Sequence, residues 1–230
     1  MSYKKSFLCI AWVLMFHNAF SQIRWELKGG VQYSNIMAKD RDGSKAGTHS
    51  AAGLYLGLGA KIPVANHFLV HPSLVSARRG FNINGVSQVL WWGSDLKVRT
   101  SYIELPVDFL FTAKIGPGNL VAGAGPYAGY GVGGKWKTSE VVVIGDIVTS
   151  DKGEVNFQDD ASYGGDRSFV YARPWDCGVH LKVGYALFNR YAVSFEMQQG
   201  TANIEPRWGN YETGGTVKNK AWGLVLSYTF

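Results

Sequence analysis

The chain ends on an alternating stretch, Lys220–Phe230, that reads KAWGLVLSYTF. Because successive side chains of a β-strand point to opposite faces, the stretch has two different sides. One side is large and apolar with aromatic rings at both ends: Trp222, Leu224, Leu226, Tyr228 and Phe230. The other side holds only small or weakly polar side chains from Ala221 onward. A strand with lipid on one side and a packed lumen on the other needs this pattern, although the last strand of a soluble sandwich also fits it.

The N-terminus indicates export. Lys4 and Lys5 precede an apolar run over residues 7–20, and a small residue, Ser21, follows it. A basic start, a short apolar run and a small-residue cleavage site are typical of a secretory signal peptide. We therefore expect a signal peptide over residues 1–21 and one domain over residues 22–230, with a buried N-terminal helix as the alternative.

Composition narrows the class of protein. The chain has 29 glycines and 32 aromatic residues, and its net charge falls from +6 to +4 once Lys4 and Lys5 are removed. The basic residues are scattered rather than clustered, so we expect no nucleic-acid partner. After cleavage Cys177 is the single cysteine, which excludes an intramolecular disulfide although the compartment is oxidising.

Period-two alternation predicts eight strands. They run at about residues 25–35, 50–62, 68–80, 102–111, 120–135, 175–185, 190–200 and 220–230. The third is the weakest, because it alternates poorly and contains Pro72. Short and long links alternate between the strands. This predicts an all-β fold, an eight-stranded antiparallel up-and-down transmembrane β-barrel with short periplasmic turns and long extracellular loops.

The predicted strands place ionisable side chains on the inward face. This lumen charge network consists of Glu26, Lys28, Lys61, Glu104, Asp108, Asp176, His180, Lys182 and Glu196. The interior of an eight-stranded barrel is only wide enough to be filled by side chains. Charges of both signs can satisfy one another there, whereas an isolated buried charge would be very costly. The sequence therefore predicts a polar plug rather than an open pore.

Three stretches resemble the PorT-like outer-membrane β-barrels of Bacteroidetes-type bacteria. They are YIELPV at Tyr102–Val107, AGPYAGYG at Ala124–Gly131 and DCG at Asp176–Gly178. The closing LSYTF is also similar, and the resemblance covers essentially the whole mature chain. It implies an eight-stranded barrel in the bacterial outer membrane and little about activity. One member of that family takes part in a protein secretion machinery.

The last strand also resembles the C-terminal assembly signal of bacterial outer-membrane barrels. Its residues Trp222, Leu224, Leu226, Tyr228 and Phe230 would then be read by the barrel-assembly machinery during insertion. The expected partners are this machinery, outer-membrane lipid and other envelope proteins.

The sequence contains no convincing motif for a dinucleotide site, a metal site or a serine hydrolase. The glycines around Gly123 and Gly125 continue into a strand, whereas a dinucleotide loop would open a helix. The histidines lack metal-ligand spacing, and there is no G-x-S-x-G elbow. We expect no catalytic residue, no cofactor and no metal.

The predicted function is a non-enzymatic outer-membrane barrel, a membrane anchor or surface binding scaffold, alone or within an envelope complex. The alternatives are an accessory component of a protein secretion or transport machinery and a rim-sited lipid-modifying enzyme.

The long loops are the expected place for binding, because a rigid scaffold positions them. Trp91 and Trp92 form an aromatic pair that would contact lipid, sugar or a partner, unless both belong to the aromatic girdle of the barrel. The segment 140–157 resembles a β-hairpin with its turn at Asp151–Gly153, which would offer an open edge to a partner strand.

Overall fold

The computed structural model describes residues 23–85, 87, 95–139, 143–144, 147–148, 151–163, 170–211 and 213–230. Its eight long strands are β1 (Arg24–Lys39), β2 (Thr48–Ala65), β3 (Phe68–Ile83), β4 (Leu96–Ile115), β5 (Gly118–Thr138), β10 (Trp175–Leu187), β11 (Tyr191–Gly200) and β12 (Thr216–Thr229). Four short strands lie between β5 and β10: β6 (Val143–Ile144), β7 (Ile147–Val148), β8 (Lys152–Phe157) and β9 (Val170–Ala172). In these described parts of the chain, no helix has the length and apolar character to cross a bilayer.

The eight long strands close into a barrel. Each pairs antiparallel with its neighbours, β1 pairs with β12, and an additional ladder between β5 and β10 completes the ring. Closure leaves no unpaired edge on these strands, which a β-structure needs if it is to cross a membrane. The predicted eight-stranded antiparallel up-and-down barrel is confirmed.

The connections differ sharply between the two ends of the barrel. The links at residues 66–67, 116–117 and 188–190 form the short-turn end, where Phe188 and Asn189 adopt φ of 51° and 57°. The links at 40–47, 84–95, 139–174 and 201–215 form the long-loop end. Six of the eight strands extend beyond their predicted limits toward the long-loop end, as β1 does by ending at Lys39 and β5 by ending at Thr138, whereas β10 and β11 keep the predicted limit there.

The outer face is an apolar belt between two sets of aromatic rings. Leucines such as Leu56 and Leu224 are 59% and 60% exposed on it. Toward the long-loop end, an upper girdle contains Tyr33 stacked on Trp222, with centroids 5.0 Å apart, and Tyr130 against Trp175, also at 5.0 Å. Toward the short-turn end, a lower girdle contains two further pairs: Tyr191 with Tyr228 and Phe68 with Phe111. Aromatic rings at both borders of an apolar band are typical of a transmembrane barrel.

Strand β3 is longer than the sequence predicts. Its ladder with β4 keeps one register on both sides of the proline, with Pro72 opposite Val107 and Val75 opposite Glu104. The alternation is hidden in the sequence because the inward face mixes polar and apolar residues: His71, Ser73, Val75, Ala77 and Arg79, all buried. One missing backbone donor does not end a strand that is paired along most of its length on both edges.

The third long loop differs from the predicted hairpin. Lys152 and Gly153 lie within β8 rather than in a turn, and β8 pairs antiparallel with β5 through Lys135 opposite Glu154. The other edge of β8 pairs in parallel with β9. The predicted turn at Asp151–Gly153 is therefore wrong, and the predicted open edge is reduced, because β5 pairs with residues 152–154 and β9 with residues 155–157.

An apolar cluster fills the barrel at the long-loop end. Its buried members are Ile83, Leu96, Val98, Trp136 and Val155, with Phe81 and Phe157 packed against them. Phe157 also meets the ring of Tyr102 edge-on at 5.3 Å. Strand β8 is thus fixed to the barrel wall by packing as well as by its ladders.

Candidate functional site

The structure places all nine residues of the predicted lumen charge network inside the barrel. None is more than 9% exposed, and Glu26, Lys28, Asp108 and His180 are completely buried. They come from five of the eight long strands, so the side chains converge from most of the wall on a shared interior. Their interactions form two groups along the barrel axis.

The first group, the lysine cluster, lies toward the short-turn end. Glu196 forms ion pairs with two lysines: its Oε1 lies 3.1 Å from Lys28 Nζ and 3.2 Å from Lys182 Nζ. Glu26 lies 3.5 Å from Lys182 and also pairs with Lys61. Each carboxylate is therefore neutralised by two ammonium groups from different strands.

Two histidines complete the lysine cluster. His180 Nδ1 lies 2.7 Å from Asp108 Oδ1, and its Nε2 lies 3.4 Å from Glu196. His71 sits between Glu26 at 3.4 Å and Asp108 at 3.8 Å. The sequence does not assign His71 to the lumen because β3 alternates poorly, and the nearby His67 lies exposed at the turn of the same hairpin.

The second group, the Arg79 cluster, lies nearer the long-loop end. Arg79 Nε is 2.7 Å from Glu104, its Nη1 donates to Asp176 at 3.2 Å, and its Nη2 donates to Gln198 at 2.5 Å. The rings of Tyr102 and Tyr127 lie 5.3 and 5.5 Å from the guanidinium carbon, which adds cation–π attraction. Arg79 was also missed by the sequence analysis, since it belongs to the poorly alternating strand β3.

Asp176 has three polar partners in the Arg79 cluster. Besides Arg79, it accepts hydrogen bonds from Tyr127 Oη and Asn219 Nδ2, both at 3.0 Å. Gln198 then donates to Glu104 at 2.9 Å. Glu104, Tyr127 and Asp176 come from the three sequence stretches that resemble the PorT-like family, so these stretches meet at one arginine.

The two clusters combine buried charges of both signs and pack closely. The described lumen residues include five buried carboxylates, four buried lysine or arginine side chains and two histidines. Between Tyr55, His180, Glu196 and Gln198 only a void of about 10 Å³ remains. That is about the size of one water molecule. The middle of the barrel is thus occupied by protein atoms.

The long-loop end carries an ordered contact between the third and fourth long loops. Asp160 accepts hydrogen bonds from Ser162 N at 2.9 Å, Ser162 Oγ at 2.7 Å and Gly209 N at 2.9 Å. These bonds to the charged form lower the pKa of Asp160, with the Ser162 hydroxyl as the largest cause. The backbone also crosses between the loops, since Arg207 N donates to Asp159 O at 2.9 Å and Ala161 N to Arg207 O at 2.7 Å.

Two aromatic side chains are exposed on the fourth loop. Trp208 and Tyr211 are 48% and 68% exposed, and their backbones bond to each other across the turn containing Gly209. The turn is anchored by Asp160. Trp91 and Trp92, the aromatic pair predicted for surface binding, lie outside the described residues.

The residues of the predicted assembly signal all lie on the outer face. Trp222, Leu224, Leu226 and Tyr228 alternate with buried residues along β12, and Phe230 is 65% exposed just beyond it. Phe230 N donates to Trp25 O at 3.0 Å, which ties the C-terminus to the first strand.

Cys177 is exposed on the same outer face. Within the described residues, no three His, Cys, Asp or Glu side chains are placed to hold a metal ion.

Comparison with known proteins gives a family. The family model described as an outer membrane protein beta-barrel domain matches residues 17–204. No curated protein sequence matches the chain. Among solved structures, Ail, the attachment invasion locus protein of Yersinia pestis, is 12% identical, with 90% of this chain and 98% of that chain covered and a TM-score of 0.41. For Neisserial surface protein A the identity is 12%, the coverage 90% and 97%, and the TM-score 0.45. The chain belongs to the family of outer membrane protein beta-barrel domains.

Proposed function

We propose that this protein is a non-conducting anchor in the outer membrane that presents a binding surface at its long-loop end. The observation that carries the first half is the lumen, where the lysine cluster and the Arg79 cluster occupy successive levels of the interior. In outer-membrane barrels the short turns face the periplasm, so the long-loop end lies on the extracellular side.

The charge network argues against passage through the barrel. A path for solutes would require Arg79 to leave Glu104 and Asp176, or Lys28 and Lys182 to leave Glu196. Separating a buried ion pair leaves an uncompensated charge, which costs about 3–5 kcal/mol for each pair broken. Several such pairs would have to break together. The geometry therefore favours an anchor over a transporter.

The binding half of the proposal is supported by the ordered loops. Asp160 and the backbone bonds of Arg207 join the third loop to the fourth, so the position of Trp208 and Tyr211 is set before any partner arrives. A preorganised surface loses less conformational entropy on binding than a flexible one. Exposed Trp and Tyr are the side chains most often found at the centre of interfaces.

The two halves are tested separately. For the lumen, we expect purified protein in planar bilayers to show no stepwise conductance, and stepwise openings of the wild-type protein would contradict the anchor. For the surface, a photoreactive residue at Tyr211 is compared with one at the lipid-facing Leu226 in native outer membranes. We expect discrete protein or glycan adducts from position 211 and only lipid adducts from position 226. Identical adduct patterns would contradict a binding role for the fourth loop.

We further propose that the protein is a PorT-like barrel exported by a signal peptide cleaved after Ser21. The support is the resemblance at the YIELPV, GPY and DCG stretches and the basic and apolar N-terminus. Mass analysis of the mature chain tests the cleavage, and a chain that begins at Gln22 is expected. Affinity purification from native membranes tests for a place in an envelope complex, where a stoichiometric set of co-purifying proteins is expected.

A further inference from the structure

The outer wall carries a basic patch beyond the upper girdle, on β3, β4 and β5. Its members are Arg78, Lys97, Arg99, Lys135 and Lys137, all exposed. In the ladder between β4 and β5, Arg99 lies directly opposite Lys135 and Lys97 directly opposite Lys137. Like charges placed opposite each other on one face destabilise a sheet by a few tenths of a kcal/mol. Their presence indicates a role other than folding.

A bulge in β5 turns these lysines outward. Ser101 pairs with Gly133, whereas its neighbour Tyr102 pairs with Gly131, so Val132 is an extra residue without a partner on β4. An extra residue reverses which side chains face the lumen from that point onward. Below the bulge Tyr130 faces outward, and above it Trp136 turns inward while Lys135 and Lys137 turn outward.

The basic side chains of the patch form no direct ion pair within the described residues. No ion pair within 4.0 Å joins any of its five members to a carboxylate there. Glu154 is the register partner of Lys135 on β8, but the two side chains do not form such a pair. Arg99 Nη1 bonds only to neutral groups, including Phe81 O at 3.2 Å and Asn82 Oδ1 at 3.0 Å. The five basic side chains therefore outnumber the nearby carboxylate, Glu154, which also lines the adjoining groove, and the patch has a net positive charge.

An open groove of about 1170 Å³ adjoins the patch. Its lining includes three basic residues of the patch, Arg78, Arg99 and Lys135. It also includes apolar residues of the outer wall, such as Val31 and Leu54, which are 48% and 52% exposed. The groove thus joins a cationic part to an apolar part that belongs to the belt of the barrel.

The height of the patch fits the headgroup layer. Ile103 pairs with Tyr130 of the upper girdle, and Arg99 lies four residues farther along β4. At about 3.3 Å per residue, the arginine lies about 13 Å along the strand beyond the girdle. Since barrel strands tilt, the distance along the membrane normal is shorter. Arg99 is thus placed above the hydrocarbon layer but within reach of lipid headgroups.

We propose that this groove binds a phosphorylated lipid of the outer leaflet. The phosphate would be held by Arg78, Arg99 and Lys135, and an acyl chain would lie along Val31 and Leu54. Basic clusters at the headgroup level attract anionic lipid, and arginine is well suited to bind phosphate. The inference goes beyond the proposed function and is independent of what the fourth loop binds.

The test is a titration of the detergent-purified mature barrel with diphosphoryl lipid A, followed by native mass spectrometry. The test variant is Arg78→Gln/Lys135→Gln, because no hydrogen bond or ion pair of either side chain occurs among the described residues. The matched control is Lys218→Gln/Lys220→Gln on β12, which removes the same charge on a strand that lies three strands away from both β3 and β5. Heat-modifiable gel mobility verifies that every variant is folded.

We expect saturable binding to the wild type, on the order of tenfold weaker binding to the β3/β5 variant, and little change in the β12 control. Equal losses in the two variants would overturn the proposal, because general attraction to a basic rim would explain them. Equal binding of dephosphorylated lipid A would overturn the phosphate contact. Displacement by an equal concentration of inorganic phosphate would overturn the lipid as the ligand.

Discussion

Arg79 Nε lies 2.7 Å from Glu104 Oε1 in the centre of the barrel, where both side chains are buried. Through its other nitrogens, the same guanidinium reaches Asp176 on β10 and Gln198 on β11. One side chain therefore links four of the eight strands across the lumen. The middle of the lumen is thus filled by long-range polar contacts, and the apolar cluster lies beyond them at the long-loop end.

The first prediction is that Arg79→Leu destabilises the barrel severely. The substitution leaves Glu104 and Asp176 buried without their shared cation, and removal of one partner of a buried pair costs about 3–5 kcal/mol. Urea unfolding in phosphatidylcholine vesicles, followed by tryptophan fluorescence, measures the loss.

Two further variants make the test of Arg79 specific. Arg78→Leu replaces the neighbouring, outward-facing arginine and should change stability by no more than about 0.5 kcal/mol in the same vesicles. The triple variant Arg79→Leu/Glu104→Gln/Asp176→Asn removes the stranded charges and should recover part of the loss. A triple variant as unstable as Arg79→Leu would show that packing, not charge, is what Arg79 contributes.

The sequence predicts the inward carboxylates better than it predicts their main partner. Glu104 and Asp176 lie on strands whose outward residues are regularly apolar, so period two assigns both to the lumen. Arg79 lies on β3, where Val75 and Ala77 also face inward and blur the alternation. Because the ion pairs are set by barrel closure between distant strands, spacing along the chain carries no information about them.

The sequence also does not predict two irregular features of the sheet, the bulge in β5 and the parallel pairing of β8 with β9. The bulge at Val132 reverses the facing of β5, so a simple alternation rule would turn Trp136 outward. The parallel pairing of β8 with β9 joins residues across a 12-residue gap in the third loop. Neither feature has a periodic signature, and the contacts beside them join distant residues: the Phe157 ring lies against Gly131 and the Trp136 ring against Gly153.

The second prediction concerns the glycines of β5. A Cβ at Gly125 would lie 1.8 Å from the backbone oxygen of Val107, so Gly125→Ala should force the two strands apart. We expect a loss of at least about 2 kcal/mol, in the range of overpacked sites, and a lower folded yield. The matched control is Gly129→Ala on the same strand and face, where the nearest contact is an ordinary 3.4 Å to a Glu104 side-chain carbon. Equal stability of the two variants would contradict a close backbone approach at Gly125.

The third prediction concerns the contact between the third and fourth loops. Asp160→Asn removes the charge that accepts hydrogen bonds from Ser162 and Gly209, so the fourth loop should become more sensitive to limited proteolysis. The control is Asp159→Asn, because the Asp159 contact with Arg207 uses the backbone oxygen and survives the change. Equal cleavage of both variants would contradict the role of Asp160.

The same contact should depend on pH. The pKa of Asp160 is lower in the folded protein than its ordinary value of about 4, so the folded state binds fewer protons than the unfolded state. The stabilisation is therefore complete above the ordinary pKa and is lost as the pH falls through the lower, folded value. Wild-type loops should become protease-sensitive in that acidic range, whereas the cleavage of Asp160→Asn should show no such transition.

The fourth prediction concerns the C-terminal phenylalanine. The ring of Phe230 is 65% exposed, and its ring neighbour Tyr228 lies 6.2 Å away between centroids. Deletion of Phe230 should therefore cost the folded barrel only about 1 kcal/mol or less, as for other exposed side chains. If the residue is read by the assembly machinery, the deletion should nevertheless strongly reduce the amount of protein that reaches the outer membrane.

Stability and assembly must be measured side by side to separate these effects. Phe188→Asn is the matched control, since it removes another exposed ring at the short-turn end and places a residue that tolerates the φ of 51° found there. We expect similar unfolding curves for both purified variants but reduced membrane levels only for the deletion. Normal membrane levels of the truncated chain would show that Phe230 serves only to close β12 onto Trp25. A large loss of intrinsic stability would instead assign its effect to folding rather than to recognition.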